Sequence, residues 1–174
     1  MTQKAFKFEQ QYCIGCQACV VACNARHGLE PGVYPRKADS YQEKMGGPYL
    51  SISCNHCANP ACVEICPTGA VQKRADGIVV HDPDVCIGCL QCKSACPYDA
   101  PQLNTVSNVM VKCDMCAARQ DCGDTPACVL ACPMKVISVG ELEDFEVEGC
   151  VAEGRNFEVA PTGPSIRFVP FNEF

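Results

Sequence analysis

The cysteines of this chain fall into four groups of four, and their spacing constrains the fold more than any other feature. Sixteen of the eighteen cysteines belong to these groups, which are Cys13/Cys16/Cys19/Cys23, Cys54/Cys57/Cys62/Cys66, Cys86/Cys89/Cys92/Cys96 and Cys113/Cys116/Cys128/Cys132. The first and third groups read C-x2-C-x2-C-x3-C, and the second and fourth lengthen only the middle gap, to four and eleven residues. Cysteines this close in sequence present their sulfurs convergently, which suits a metal better than disulfides between distant strands.

The spacing is typical of 4Fe–4S cluster binding. Three of the four groups end in Cys-Pro, as cluster-binding runs of this kind do. Sixteen thiolates supply four ligands to each of four clusters, so we predict four 4Fe–4S clusters with iron bound by these cysteines. The remote alternative is a zinc-binding structural module, because C-x2-C pairs also form four-cysteine zinc sites.

The rest of the composition limits the partners and the location. The formal net charge is −6, which argues against nucleic-acid binding. We expect no direct membrane span, because no apolar run approaches the roughly eighteen residues needed. Residues 1–12 show no signal-peptide pattern. We therefore expect synthesis and cluster assembly in the cytoplasm, and a final site either there or across a membrane, bound to a signal-bearing partner.

The order of the cysteine groups predicts an α+β fold of the duplicated bacterial-ferredoxin type, with two dicluster units of short strands and helices, loop-rich insertions and an extended tail. The outer unit is split between residues 1–27 and 102–140, and the inner unit is residues 49–101. Residues 28–48 are predicted to be an inserted surface loop. Residues 141–174 are predicted to be either a mostly solvated tail or an extension that embraces a partner.

Local patterns predict individual elements of these units. Short helices are expected at Ala18–Cys23 and Ala127–Cys132. A hairpin is expected from Ala70 to Val80, with its turn at Asp76-Gly77. Further strands are predicted at Ala5–Glu9, Tyr49–Ser53, Asn108–Lys112 and Val136–Val139.

The cysteine groups are expected to share ligands in crossed pairs. In two-cluster ferredoxins the fourth cysteine of each run ligates the other cluster, because the helix after the third ligand carries it towards the neighbouring site. Groups two and three then form one pair, and groups one and four form the other. The predicted ligand sets are site 1 (Cys13, Cys16, Cys19, Cys132), site 2 (Cys23, Cys113, Cys116, Cys128), site 3 (Cys54, Cys57, Cys62, Cys96) and site 4 (Cys66, Cys86, Cys89, Cys92).

Over about residues 8–140 the sequence resembles the four-cluster electron-transfer subunits of molybdopterin oxidoreductases, most closely that of dimethyl sulfoxide reductase. The segments that carry the resemblance are Leu50–Cys57, Pro60–Cys62, Cys66–Ala70, Asp84–Cys89, Cys96–Pro101 and Lys112–Cys116. The resemblance implies a molybdopterin (Mo or W) catalytic partner and, where one exists, a membrane-anchor quinone-reactive subunit. It also implies a linear order from site 1, nearest the catalytic subunit, through sites 2 and 3 to site 4. Nitrate-reductase relatives carry tryptophan at the position of Cys89 and a cluster lacking one iron, so Cys89 implies four full cubanes.

Several residues outside the ligand sets have two interpretations. Cys122 and Cys150 are expected to be free thiols, with a disulfide between them as the weaker alternative. His56 is expected to be a loop residue or a hydrogen-bond donor near a cluster, whereas the other two histidines, His27 and His81, are expected at the surface. Lys112, directly before Cys113, either raises a cluster potential or is a solvated strand-end lysine, and Lys93 lies inside group three.

Together these patterns predict a non-catalytic subunit of an oxidoreductase complex. It would relay single electrons between the catalytic subunit and a quinone-linked or soluble redox partner. No general acid, base or nucleophile is apparent, so no catalytic residue is predicted. The alternative is a freestanding polyferredoxin or a hydrogenase-linked relay.

Overall fold

The structure is a computed structural model that describes residues 2–40 and 49–171. The helices are short and are α1 Ala18–His27, α2 Ala61–Glu64, α3 Gln91–Ala95, α4 Ala117–Asp121, α5 Ala127–Leu130 and α6 Leu142–Val147. The strands are β1 Lys4–Phe8, β2 Lys37–Ser40, β3 Tyr49–Ile52, β4 Val71–Lys73, β5 Val79–His81, β6 Gln102–Asn104, β7 Val109–Val111, β8 Ile137–Glu141 and β9 Arg167–Phe168. The fold is therefore mixed α/β, with predicted strands and helices found close to their expected positions.

The largest sheet joins distant parts of the chain. Its order is β8-β1-β9, with β1 antiparallel to β8 and parallel to β9. Phe8 and Phe168 from this sheet are almost fully buried, with ring centroids 6.2 Å apart. Helix α1 packs against α5, and α2 packs against α3. Elements that are far apart in sequence thus meet around the cysteine groups.

The predicted hairpin is confirmed as β4 and β5, paired antiparallel with Val71 opposite His81. Its turn follows from local chemistry, because the Asp76 side chain accepts a hydrogen bond of 3.2 Å from the Ile78 N–H. Gly77 has a φ of 82°, a conformation that glycine adopts without steric cost. Ile78 and Val79 are fully buried, so the hairpin contributes directly to the core.

The prediction that residues 28–48 form a surface loop is wrong for residues 37–40, whereas residues 28–36 contain neither helix nor strand. Residues Lys37–Ser40 form β2, which pairs antiparallel with β3. Val33, Arg36 and Ala38 are buried. The Pro, Gly and charged residues of this segment suggested solvation, but strand pairing and the burial of individual side chains override that composition. Residues 41–48 lie outside the described residues.

Over its described part, the C-terminal segment packs partly into the core and is not a mostly solvated tail. After α6 it returns to the core, where β9 pairs with β1 and Val169 donates its N–H to the Phe8 carbonyl at 3.1 Å. The Phe157 ring stacks on Tyr98 at 5.3 Å and an interplanar angle of 4°. Phe157, Ile166 and Phe168 of this segment therefore have partners in the chain's own core. Within residues 2–40 and 49–171, no helix combines the length and apolar character needed to cross a membrane.

Candidate iron–sulfur sites

The first C-x2-C pair of each cysteine group, four pairs in all, is built on a similar backbone turn. The residue before the second cysteine has a left-handed φ in all four pairs, namely Gly15 66°, His56 43°, Gly88 64° and Met115 55°. This turn can point backbone N–H groups back at the first sulfur, as at Met115, whose N–H donates to Cys113 Sγ at 3.3 Å. Hydrogen bonds to sulfur stabilise a thiolate, which is the form that ligates iron. The turns therefore prepare each pair to hold a metal.

Glycine is required in one of these turns for a second reason. A Cβ at position 88 would lie 2.4 Å from the carbonyl oxygen of Asn108. Because that oxygen belongs to backbone, the clash could not be relieved by a side-chain rotation. Gly88 thus allows the Cys86–Cys89 loop to pack closely against the turn that precedes β7.

The predicted site 1 brings together sulfurs from both halves of the sequence. Cys13, Cys16, Cys19 and Cys132 line one small cavity. Burial raises the pKa of Cys13, and the charges of Cys19, Cys132 and Cys16 raise it further. Cys132 reaches the site because α5 packs against α1.

The predicted site 2 is the most deeply buried set. Burial is the main cause that raises the pKa of Cys23 to about 12, and the charges of Cys128 and Cys116 add to it. Burial also raises the pKa of Cys113 well above its usual value, and the charge of Cys23 is the next largest cause of this increase. Such thiols would stay protonated at neutral pH unless a metal replaced the proton.

Within the predicted site 3, and likewise within site 4, the cysteines raise one another's pKa. Burial raises the pKa of Cys62 to about 12, with added effects from Cys54, Cys96 and Cys57. In the other set, burial raises the pKa of Cys92, together with the charges of Cys66, Cys86 and Cys89. The charges that act on each thiol thus come mainly from one set of four. All eighteen cysteines lie among the described residues, and none of them forms a disulfide.

Two cations are buried among these sulfurs. Lys112 is only 4% exposed, so its interpretation as a solvated lysine is wrong. Its Nζ lies 3.7 Å from Cys54 Sγ and 2.8 Å from the Cys113 carbonyl oxygen, between the predicted sites 3 and 2. Arg36 is 2% exposed, and no sequence pattern pointed to it, because it lies in the segment predicted to be a surface loop. Lys93, by contrast, has a side chain that is 39% exposed and pairs with Asp99 at 3.0 Å.

Comparison with known proteins shows the family to which the chain belongs. Residues 46–142 match the family described as "4Fe-4S dicluster domain", and residues 10–26 match a "4Fe-4S binding domain". The chain belongs to the 4Fe-4S dicluster family. The chain is therefore an iron–sulfur protein, and the zinc-module interpretation has no support from these matches.

Named relatives of this dicluster-family protein are subunits of reductases. The B subunit of anaerobic dimethyl sulfoxide reductase from Haemophilus influenzae is 38% identical, over 95% of this chain and 85% of the relative. The corresponding B subunit from Escherichia coli K12 is 44% identical, over 83% and 76%. An electron transfer subunit of thiosulfate reductase from Salmonella typhi is 36% identical, over 83% and 79%. The dicluster protein is accordingly an iron–sulfur electron-transfer subunit and not a catalytic one.

His56 of the dicluster protein lies in a loop, as predicted, between β3 and α2. His56 is fully buried, and its Nδ1 accepts a hydrogen bond from the Val79 N–H at 3.0 Å. Burial, with Lys112, Arg36 and Lys73 nearby, lowers its pKa well below the usual value, so the ring is neutral. The other two histidines are half-buried and not at the surface as expected, and these are His27 and His81.

His27 also belongs to a small group of potential metal ligands beside the predicted site 2. It lies 3.6 Å from Asp114. These two residues and Cys116 have their potential ligand atoms within 4.8 Å of one another. Because Cys116 is one of the four predicted ligands of site 2, this group belongs to the surroundings of that site.

The two cysteines outside the predicted ligand sets are free thiols in the structure. Cys122 is exposed, at the end of α4. Cys150 is buried in a small apolar cluster with Ala5 and Phe145. The weaker alternative, a disulfide between them, is not formed.

Proposed function

We propose that this chain carries four full 4Fe–4S clusters and relays single electrons between a molybdopterin-containing catalytic subunit and a quinone-linked or soluble redox partner. The observation that supports the proposal is that cysteines of each predicted set share a cavity or raise one another's pKa. When bound, the clusters would supply one-electron redox chemistry. The chain's own residues supply the thiolates, the N–H donors to sulfur and the apolar surroundings that limit water.

The crossed ligand sets are supported by the cysteines that share a cavity or raise one another's pKa. Cys132 shares a cavity with Cys13, although the two come from opposite ends of the cysteine-rich region. The charge of Cys96 raises the pKa of Cys62, and the charge of Cys66 raises the pKa of Cys92. Both pairs must be close together if the fourth ligands of the inner unit are crossed. The packing of α1 on α5 and of α2 on α3 supports the same division into a split outer unit and a contiguous inner unit.

The proposed order of the relay is site 1, site 2, site 3 and site 4. In support of this order, the charge of Cys54 acts on Cys113, so sites 2 and 3 would be neighbours. Of the sixteen proposed ligands, Cys16 and Cys89 alone are exposed, and they belong to sites 1 and 4. Exposed apolar side chains accompany both, with Ile14 55% and Ile87 62% exposed. A relay needs accessible ends and shielded middle sites, and these exposures support that assignment.

The partner is proposed from the names of the relatives and from the resemblance in the ligand segments. The relatives' names place them in dimethyl sulfoxide and thiosulfate reductases, which favours a reductase complex over a freestanding polyferredoxin or a hydrogenase-linked relay. A membrane-anchor subunit that docks near site 4 is part of the proposal. So is assembly of the clusters in the cytoplasm, before any export with a signal-bearing partner.

The proposal is tested by purifying the affinity-tagged chain without oxygen from its native host. We expect a large subunit to co-purify, with molybdenum or tungsten in the preparation and reduction of the clusters by a quinol or a soluble donor. Cys16→Ser should slow electron transfer to the large subunit, whereas Cys122→Ser, also at an exposed thiol, should leave it unchanged. Recovery of the chain alone, with clusters but without a molybdopterin protein, would support the polyferredoxin alternative.

A further inference from the structure

Arg36 is a buried cation that has no carboxylate partner among the residues that the structure describes. Its guanidinium donates to Ser51 Oγ and Ser53 Oγ, each at 3.0 Å, and its Cζ lies 4.8 Å from the centroid of the Phe6 ring. Within residues 2–40 and 49–171, it forms no ion pair. A guanidinium stays charged in proteins, and a buried charge is costly unless it is compensated. Hydroxyl groups alone do not neutralise it, so another source of negative charge is needed.

The negative charge that faces Arg36 comes from the ligands of two proposed sites. Burial acts to lower the pKa of Arg36, but the charges of Cys128, Cys113, Cys19 and Cys23 together raise it. Cys128, Cys113 and Cys23 belong to site 2, and Cys19 belongs to site 1. Arg36 therefore lies at the junction between the two sites of the outer unit.

Ser51 connects Arg36 to site 1 by a second route. Its Oγ lies 3.3 Å from Cys19 Sγ and accepts a hydrogen bond from Arg36. A thiolate bound to iron has no proton to give, so the Ser51 hydroxyl must be the donor to Cys19. The three side chains then form a chain of hydrogen bonds that ends on a sulfur ligand of site 1.

We propose that Arg36 raises the reduction potentials of the two clusters at sites 1 and 2, by its charge on site 2 and through Ser51 on site 1. The inference rests on the proposed ligand sets. Reduction adds negative charge to a cluster, and a nearby cation or a hydrogen bond to sulfur favours the reduced form. Arg36 is thus a positioning residue that biases the outer pair of clusters towards the reduced state.

The test is a redox titration of the whole complex, followed by electron paramagnetic resonance, for wild type, Arg36→Gln and Lys37→Gln. Lys37 is the matched control, because it loses the same charge from a side chain that is 41% exposed. In Arg36→Gln the site 2 potential should fall by at least the equivalent of a tenfold change in the reduction equilibrium, about 59 mV for one electron. The site 1 potential should fall as well, and the potentials of sites 3 and 4 should change less. Lys37→Gln should leave the potentials of sites 1 and 2 unchanged.

Two further variants keep the inference testable. Arg36→Lys retains the charge and should keep the site 2 potential near that of wild type. Ser51→Ala retains Arg36 and removes the bridge, so it should lower the potential of site 1 alone. If Arg36→Gln fails to incorporate iron, Ser51→Ala decides: a fall confined to site 1 supports the hydrogen-bond chain, and no fall contradicts it.

The outcomes separate this inference from the proposed function. Four clusters with unchanged potentials in Arg36→Gln would overturn the role of Arg36 and leave the relay intact. Equal shifts at all four sites would indicate a general structural effect and would also overturn it. Fewer than four clusters in the wild type would count against the proposed function itself.

Discussion

The proposed outer and inner units hold the same kind of cysteine pattern but are assembled differently. The inner unit lies within one stretch, residues 49–101, and its core is the local hairpin of β4 and β5. The ligands of the outer unit lie before and after that stretch in sequence, and the pairing of β1 with β8 brings the two parts together. Its junction also contains the buried Arg36. The outer unit therefore depends on long-range closure, whereas the inner unit is built from neighbouring segments.

The largest difference should appear when a crossing ligand is removed. Cys132→Ser should abolish or convert the cluster at site 1, because its sulfur lies in the same cavity as the three ligands from residues 13–19. Iron content and the spectrum of each cluster would measure the loss, with Cys122→Ser as the control that changes neither. An intact 4Fe–4S spectrum at site 1 in Cys132→Ser would refute the crossed set.

The C-terminal segment should stabilise the two units together. Phe157 is buried between Tyr98 of the inner unit and Phe168 of β9, with centroids 5.3 Å and 5.1 Å away. Phe157→Ala should therefore cost about 3–5 kcal/mol of unfolding free energy, as removal of a buried aromatic ring does. Denaturation of the cluster-loaded protein without oxygen would measure it.

The matched control for that change is Val147→Ala in α6, because Val147 is 85% exposed. Its unfolding free energy should stay within about 0.5 kcal/mol of wild type. Equal effects of the two substitutions would mean that the C-terminal segment contributes little to the core.

Lys112 should raise the reduction potentials of one cluster in the outer unit and one in the inner unit. Its Nζ contacts Cys54 Sγ of site 3 and the carbonyl of Cys113 of site 2. Lys112→Gln should lower the potentials of sites 2 and 3 together, because loss of the buried cation disfavours the reduced clusters. Lys93→Gln, which removes an exposed charge near site 4, should have a smaller effect. A redox titration that finds no shift in Lys112→Gln would contradict this role.

The smallest effect is expected for the surface ion pair that also links the units. Arg74, after β4, holds Asp121 of α4 through two hydrogen bonds of 3.0 Å and 2.6 Å. Asp121 is exposed, so solvent and salt screen the pair. Asp121→Asn should leave the melting temperature almost unchanged at physiological salt. A large drop would show that this contact, and not the buried core, joins the two units.

Sequence patterns were informative where structure depends on neighbours along the chain. The Asp76-Gly77 hairpin and the helix at Ala18 both follow from local patterns, and the structure contains each of them. Arg36 and the C-terminal segment could not be predicted, because their environment is made by distant residues. The sequence next to Arg36 does not indicate that its guanidinium will donate hydrogen bonds to Ser51 in β3 and to Ser53. The apolar residues near Phe157 likewise gave no indication that their partner is Tyr98.

The most direct test of the four-cluster relay is the content of iron, zinc and acid-labile sulfide per chain in protein purified without oxygen. Four cubanes predict about sixteen iron atoms, a matching amount of sulfide and negligible zinc. About twelve iron atoms, enough for three cubanes, would contradict the assignment of all four sites. Zinc without labile sulfide would contradict electron transfer as the function.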